Sequence, residues 1–94
     1  MATFKINKVF KITNRGHVLS GIIVDGEISS GDLLLLDVDR DILRLKIKSV
    51  EYVDYSKGYA EIGLMIGPLE NNIQTLLETM TKQIILITRD HTDS

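Results

Sequence analysis

The chain has 94 residues, of which 44% are hydrophobic and 26% are charged, and its formal net charge is −2. These values are typical of one small folded domain, and they exclude a disordered acidic segment and a strongly basic nucleic-acid-binding protein. Because the chain has no cysteine, disulfides, thiolate nucleophiles and cysteine-based metal sites are excluded as well.

Alternating hydrophobic residues predict the first strand, at residues 4–12. Four even-numbered positions are expected on its buried face: Phe4, Ile6, Phe10 and Ile12. Asn14 and Gly16 tolerate positive φ angles, which predicts a tight hairpin after this strand. The next strand, at residues 18–24, is apolar almost throughout, as expected of a strand that is covered on both sides or crosses a barrel corner. Within it Gly21 is expected at a bulge or at a close approach of two backbones.

Three more strands are predicted in the middle of the chain. The apolar run at residues 33–36 is too short for a helix and is read as a strand. The clearest alternation predicts one long strand at residues 43–52. Its polar face carries Arg44, Lys46, Lys48 and Tyr52. A turn at Lys57-Gly58 leads into another strand at residues 59–66.

One short amphipathic helix is predicted near the C-terminal end. Its apolar residues recur at helical spacing, at Ile73, Leu76, Leu77 and Met80, and its cap is expected at Asn71 or Asn72. A last strand follows at residues 83–88, before a polar tail at 89–94. Residues 1–94 are thus expected to form a single domain, ordered over residues 4–88. Many strands with glycine turns and little helix predict an all-β fold, a small antiparallel barrel of six or seven strands.

The first hairpin and its surroundings resemble the second domain of the translational GTPases, the β-barrel of elongation factor Tu and its relatives. The residues that carry the resemblance are Val9-Phe10, Asn14-Arg15-Gly16, Val18-Leu19, Gly21, Gly26-Glu27-Ile28 and Gly31-Asp32. Ile47-Lys48-Ser49-Val50-Glu51, residues 58–67 and residues 83–86 are similar to later strands of that family. The resemblance covers residues 4–88 and implies a Greek-key-like barrel of the elongation factor Tu domain 2 type.

The resemblance implies a binding module rather than a GTPase, because the chain has no Gly-x-x-x-x-Gly-Lys-Ser/Thr phosphate loop and no nucleotide is expected. In elongation factor Tu this barrel holds the aminoacylated end of tRNA, and Phe10 and Glu51 match positions of that pocket. Asn7 and Lys8 stand where two acidic residues of the family receive the amino group. A lysine there would repel an ammonium group. Glu61 replaces an asparagine of the family.

A basic strand face is the candidate surface for RNA. Its members are Arg44, Lys46, Lys48 and Tyr52, assisted by Lys8 and Arg15. Lysine and arginine bind phosphates, and a tyrosine ring can stack on a base. A solvated outer strand gives the same pattern, and lysine on an edge strand also prevents aggregation. Arg15 can instead tie its hairpin to neighbouring carbonyls or to a carboxylate.

Other candidate sites are weaker. His17 is a candidate pH-sensitive or RNA-contacting residue, although a single histidine on a hairpin is usually neither. The clustered tyrosines Tyr52, Tyr55 and Tyr59 fit an exposed contact patch or plain strand packing equally well. Three alternating carboxylates, at Asp37, Asp39 and Asp41, lack the glycine and the glutamate of a calcium loop. His91 in the polar tail is a poor candidate for metal binding.

The sequence therefore predicts a non-enzymatic binding module that contacts RNA or a ribosome-associated factor. The alternative is a protein-interaction or assembly module that has kept the barrel and binds another protein or itself. No cofactor and no metal are expected, and no serine has an obvious catalytic base. Without an apolar run of about 18 residues, no membrane association is expected, and the default location is the cytoplasm.

Overall fold

The computed structural model describes residues 1–55 and 59–89, with side chains for residues 1–52 and 61–89. These residues form β1 (Ala2–Ile12), β2 (Gly16–Asp25), β3 (Leu33–Val38), β4 (Asp41–Lys46), β5 (Ser49–Tyr55), β6 (Tyr59–Gly67), α1 (Asn71–Thr79) and β7 (Ile84–Thr88). All strand pairs are antiparallel, and they form one sheet in the order β4-β3-β7-β1-β2-β6-β5. The prediction of an all-β antiparallel fold with one short helix is confirmed.

The sheet is open, with β4 at one edge and β5 at the other. In the described part of the chain no ladder joins these two edges. Only Ile47 and Lys48 separate β4 from β5 along the chain, so the two edges approach each other at this corner. Backbone hydrogen bonds fix the corner on both sides. Ile47 N donates to Asp32 O at 2.8 Å, and Lys48 N donates to Met65 O at 2.7 Å. The sheet is therefore strongly curved.

The single long strand predicted at residues 43–52 is wrong. The chain leaves β4 after Lys46 and enters β5 at Ser49, and the two strands pair with different partners. Ile47 lies between them and is fully buried in the core. Because Ile47 keeps the phase of the apolar alternation, the sequence pattern shows no interruption where the backbone turns.

The core lies on one face of the curved sheet and draws on every part of the chain. Its buried apolar residues are Ala2, Phe4, Ile6, Leu19, Leu34, Leu36, Ile47, Leu64, Ile66, Leu77, Ile85 and Ile87. Leu34 and Leu36 are fully buried, whereas Leu33 and Leu35 are partly exposed, which confirms that the run of four leucines is a strand. Closing this core requires strands from both ends of the chain, so the described residues fold as one unit.

Leu77 of helix α1 is buried in the core. Three neighbouring residues, Ile73, Leu76 and Met80, pack against the core. The prediction of a cap at Asn71 or Asn72 is wrong, because the N-cap residue is Glu70 and no side chain caps the helix. The first helical bond runs from Gln74 N to Glu70 O at 2.9 Å. Within residues 1–55 and 59–89, no helix has the length and apolar character that a membrane crossing needs.

Strand β1 contains a bulge at Asn7 that reverses its alternation. The register pairs Ile6 with Gly21 and Lys8 with Ser20. Asn7 is the extra residue, so Ile6 faces the core before the bulge and Val9 packs against the core after it. Phe10 is 37% exposed. The prediction that Phe10 shares the buried face of Phe4 is therefore wrong, because one inserted residue moves every later side chain to the other face.

The turns contain the residues that have positive φ angles. Asn14 has φ 64° and Gly16 has φ 115°, which confirms the predicted first hairpin. Asp39 and Arg40, with φ 46° and 73°, form the two-residue connection of the β3–β4 hairpin, whose twist matches that of the strands. The predicted turn at Lys57-Gly58 lies outside the described residues.

Gly21 lies at a close approach of the β1 and β2 backbones, and this part of the sequence prediction is confirmed. A Cβ at Gly21 would overlap the carbonyl oxygen of Lys5. We expect Gly21→Ala to lower the free energy of unfolding by about 3 kcal/mol, because the backbone must move to relieve the overlap. Urea denaturation followed by circular dichroism measures this loss.

Gly31→Ala is the matched control. A Cβ there meets nothing within 4 Å, although Gly31 has φ +95°. Only backbone strain opposes this change, and the expected loss is about 1–2 kcal/mol. Equal losses for the two variants would contradict the importance of the close approach at Gly21.

Candidate functional site

The register of four strands builds one outer face of the sheet. Residues paired across antiparallel strands point to the same side. On β1, β2, β6 and β5, one row of paired residues contains Phe10, Val18, Met65 and Ser49, and the next row contains Lys8, Ser20, Gly63 and Glu51. The bulge in β1 turns Phe10 and Lys8 onto this face. Phe10 and Glu51, which lie far apart in the sequence, therefore share one surface.

A small cavity of about 70 Å³ opens on this face, and we call it the Phe10–Tyr52 pocket. Its lining residues are Phe10, Ile12, Val18, Glu51, Tyr52, Gly63 and Met65. Gly63 has no side chain, which leaves space between Phe10 and Glu51. Tyr52 is 82% exposed. Its register row contains Ile62, Gly21 and Ile6, so its side chain leaves the edge strand β5 on the side opposite to Glu51. The pocket thus combines a hydrophobic hollow with the Phe10 ring on its own face and Tyr52 at the edge of the sheet.

The first hairpin places a cation at the rim of this pocket. Arg15 Nη2 donates to Glu51 Oε2 at 3.3 Å, and Ser49 Oγ donates to the same oxygen at 3.1 Å. The predicted tie between Arg15 and a carboxylate is confirmed. Because both ionic side chains are about half exposed, solvent screens the pair and its contribution to stability is below about 1 kcal/mol. Its structural effect is to orient the Glu51 carboxylate.

A buried carboxylate supports the same face. Glu61 is 7% exposed and accepts two hydrogen bonds, from Ser20 Oγ at 2.7 Å and from Asn7 Nδ2 at 2.8 Å. Each donor satisfies one carboxylate oxygen, as a buried charged group requires. In the sequence, Glu61 stands out only as a departure from the resembled family. The signal that could have found its role is an acidic residue inside an otherwise apolar strand.

The structure separates the predicted basic residues. Arg44 and Lys46 lie on β4, which pairs with β3, and they do not line the Phe10–Tyr52 pocket. Lys48 lies in the corner between β4 and β5, where a Cβ placed on Gly67 would be 2.9 Å from its Nζ. Lys8 is exposed on the face of the pocket. The predicted continuous stripe from Arg44 to Tyr52 is wrong, because β4 and β5 are separate strands.

His17 is buried rather than presented at the surface. It is 2% exposed, and its Nε2 lies 2.9 Å from Gln74 Oε1, which links β2 to α1. Because an amide oxygen only accepts, Nε2 is the donor in this bond. Among the described residues, Nδ1 has no hydrogen-bond partner. The ring is therefore not available for contact with RNA.

Several candidates stay predictions. The side chains of Tyr55 and Tyr59 lie outside the described residues, so the proposed tyrosine patch is represented only by Tyr52. His91 also lies outside them. In residues 1–55 and 59–89, no group of three or more histidine, cysteine, aspartate or glutamate side chains is arranged to hold a metal ion. The candidate site is consequently built from aromatic, apolar and ion-paired residues.

No protein-family model, curated protein or solved structure matches this chain. The resemblance to the second domain of the translational GTPases therefore stays a prediction that depends on the residues of the first hairpin. The site itself consists of two exposed aromatic residues, a hydrophobic hollow, an oriented carboxylate and cations beside them.

The buried carboxylate generates a stability prediction. We expect Ser20→Ala to lower the free energy of unfolding by about 1–3 kcal/mol, because a buried charged acceptor loses a donor. Ser49→Ala is the control, since its hydroxyl also donates to a carboxylate but in an exposed position. The control should change stability by no more than about 0.5 kcal/mol. Thermal or urea unfolding of both variants measures the difference, and equal effects would show that Glu61 does not depend on its buried donors.

Proposed function

We propose that the chain is a non-catalytic module that binds single-stranded RNA on the Phe10–Tyr52 pocket. The observation that carries this proposal is a hollow lined by two exposed aromatic residues, Phe10 and Tyr52, with Arg15 bonded to Glu51 at its rim and Lys8 on the face of Phe10. Aromatic rings bind bases through their faces, and cations bind the phosphates between them. The RNA can be free or part of a ribosome-associated particle.

Stacking on Tyr52 supplies most of the affinity in this proposal. A base stacked on an aromatic side chain contributes about 1–3 kcal/mol and is accepted whatever its identity. The hollow of about 70 Å³ is too small to enclose a nucleotide. The strand of RNA therefore lies across the surface and around the edge strand β5, with one nucleotide at Phe10 and another base stacked on Tyr52. Glu51 is then placed to accept a hydrogen bond from an amino or hydroxyl group of the ligand.

Electrostatic attraction in this proposal is local. The net charge of −2 gives no long-range attraction to RNA, so Arg15 and Lys8 must neutralise phosphates at short range. With about two phosphate contacts, the logarithm of the affinity should fall with the logarithm of the salt concentration with a slope between about −1 and −2. Binding is accordingly expected to be weak at physiological salt and measurable at low salt.

The curved sheet is interpreted in this proposal as a barrel of the elongation factor Tu domain 2 type. Two features support this interpretation: the edges of the sheet converge at Ile47, and the pocket contains Phe10 and Glu51, which match pocket positions of that family. Lys8, in place of an acidic residue, favours a phosphate over the ammonium group of an aminoacyl ester.

A protein-interaction or assembly module is the second candidate function. It is favoured by a different surface, on which Ile42, Ile84 and Leu86 are between 46% and 56% exposed. Ile42 lies on β4, and Ile84 and Leu86 lie on β7, with β3 between the two strands. Exposed apolar side chains in this number on one part of a sheet are typical of contact sites for other proteins. The two candidate functions use different residues and can be tested separately.

The RNA proposal predicts that Tyr52→Ala lowers affinity for a short single-stranded RNA about tenfold at low salt, because stacking is lost. Fluorescence anisotropy with a labelled unstructured RNA measures the affinity. Tyr52 is so exposed that its truncation should leave the fold intact, which circular dichroism can verify.

Two charge reversals provide the matched comparison. Arg15→Glu should weaken RNA binding more than Arg44→Glu, since Arg15 stands at the pocket and Arg44 lies on β4. The net charge changes equally in both variants. Equal loss in the two variants would assign the effect to overall charge rather than to the pocket. Absence of binding to the wild-type protein at low salt would overturn the proposal.

A further inference from the structure

A second concave surface runs between α1 and the β3–β4 hairpin. Two adjoining cavities, of about 500 Å³ and about 430 Å³, share Ile42 as a lining residue. The larger one reaches Leu76, Met80 and Ile84, and the smaller one reaches Ile73. The two cavities meet at Ile42 and both reach α1, and we call them together the α1 groove.

Apolar side chains stand on both walls of the α1 groove, beside the polar side chains of Thr79 and Gln83. The helix wall consists of Ile73, Leu76 and Met80, which recur every three or four residues and are only partly buried. The sheet wall includes Ile84, which is 56% exposed, and Leu86, which is 46% exposed. The free energy falls when another surface covers such side chains and removes them from water.

The charged residues that line the groove all carry the same sign. They are Asp37, Asp39 and Asp41, and each of them is exposed. Among the described residues, no lysine or arginine lines either cavity. The two-residue connection at Asp39-Arg40 brings the three carboxylates to the end of the β3–β4 hairpin, beside the apolar walls. The groove thus combines apolar side chains with three carboxylates at one end, where exposed Arg40 lies next to Asp39 and Asp41 but outside the lining.

We propose that the α1 groove is a docking site for a segment of a partner protein that carries apolar side chains flanked by lysine or arginine. Apolar anchors fill the two cavities, and basic side chains meet the three carboxylates. The same carboxylates repel phosphate groups, so RNA and anionic lipid surfaces do not fit this groove. Met80 adds a flexible side chain that can adjust to different anchors.

This inference gives the second candidate function a specific partner chemistry, and it is independent of RNA binding. Charge complementarity sets the orientation and the association rate, while burial of the apolar anchors provides the affinity. Tyr52→Ala should therefore leave docking unchanged, and substitutions in the groove should leave RNA binding unchanged. Failure of one proposal does not affect the other.

Three labelled synthetic peptides of equal length test the groove. One alternates leucine with lysine, one alternates leucine with glutamate, and one alternates serine with lysine. We expect the leucine–lysine peptide to bind at least about tenfold more tightly than the other two, because only it supplies both anchors and positive charge. Fluorescence anisotropy measures affinity, and amide chemical shifts of the isotope-labelled protein map the bound surface.

Substitutions locate the binding surface. Ile84→Thr removes an apolar contact for the leucine side chains of the peptide but keeps a β-branched residue in β7. It should weaken binding of the leucine–lysine peptide about tenfold. Ile22→Thr is the matched control, since Ile22 is 44% exposed on β2 and lines neither cavity. The triple variant Asp37→Asn, Asp39→Asn, Asp41→Asn should weaken binding of the leucine–lysine peptide and reduce its dependence on salt.

Several results would overturn the proposal. They are equal affinity for the glutamate peptide, equal loss in Ile22→Thr and Ile84→Thr, or chemical-shift changes that fall outside the groove. Light scattering supplies a further test, because a wild-type dimer that Ile84→Thr converts to a monomer would assign the groove to a second copy of this chain. A monomeric wild-type protein with the predicted peptide preference supports the proposal.

Discussion

The rest of the candidate site depends on the hydrogen bonds that the buried carboxylate of Glu61 accepts. This carboxylate accepts hydrogen bonds from Ser20 on β2 and from Asn7 in the bulge of β1, so it joins three neighbouring strands beneath one face. A carboxylate with 7% exposure is stable there only if its acceptors are satisfied. The bulge supplies one donor by turning Asn7 toward Glu61. The same bulge turns Phe10 outward, and this outward position creates the Phe10–Tyr52 pocket.

The second constraint is the corner at Ile47. Its side chain is fully buried, and its backbone N–H donates to Asp32 O, so the chain turns there and starts β5 at the other edge of the curved sheet. This connection carries Glu51 and Tyr52 to the pocket and leaves Arg44 on β4. A basic pattern that is continuous in sequence is thereby divided between two edges of the sheet.

The two candidate surfaces differ in charge. Arg15 is paired with Glu51 beside the Phe10–Tyr52 pocket, while the charged residues that line the α1 groove in the described part of the chain are all aspartates. The two proposed ligands differ accordingly, one carrying phosphates and the other basic side chains. Helix α1 takes part in the groove and is also linked to β2 by the bond between Gln74 and His17. The groove is therefore anchored to the same strands that carry the pocket.

The sequence by itself determined the strand content, the first hairpin, the amphipathic helix and the close approach at Gly21. These features depend on side-chain period and on φ preferences, which are local properties of the chain. Only the tertiary structure decided that Asn7 is a bulge, that residues 43–52 form two strands and that His17 is buried. A bulge is fixed by hydrogen bonds across strands, as between Asn7 and Glu61, and periodicity carries no record of such bonds. The corner at Ile47 escaped detection for the same reason: its burial preserved the alternation while its backbone partners, far along the chain, turned the strand.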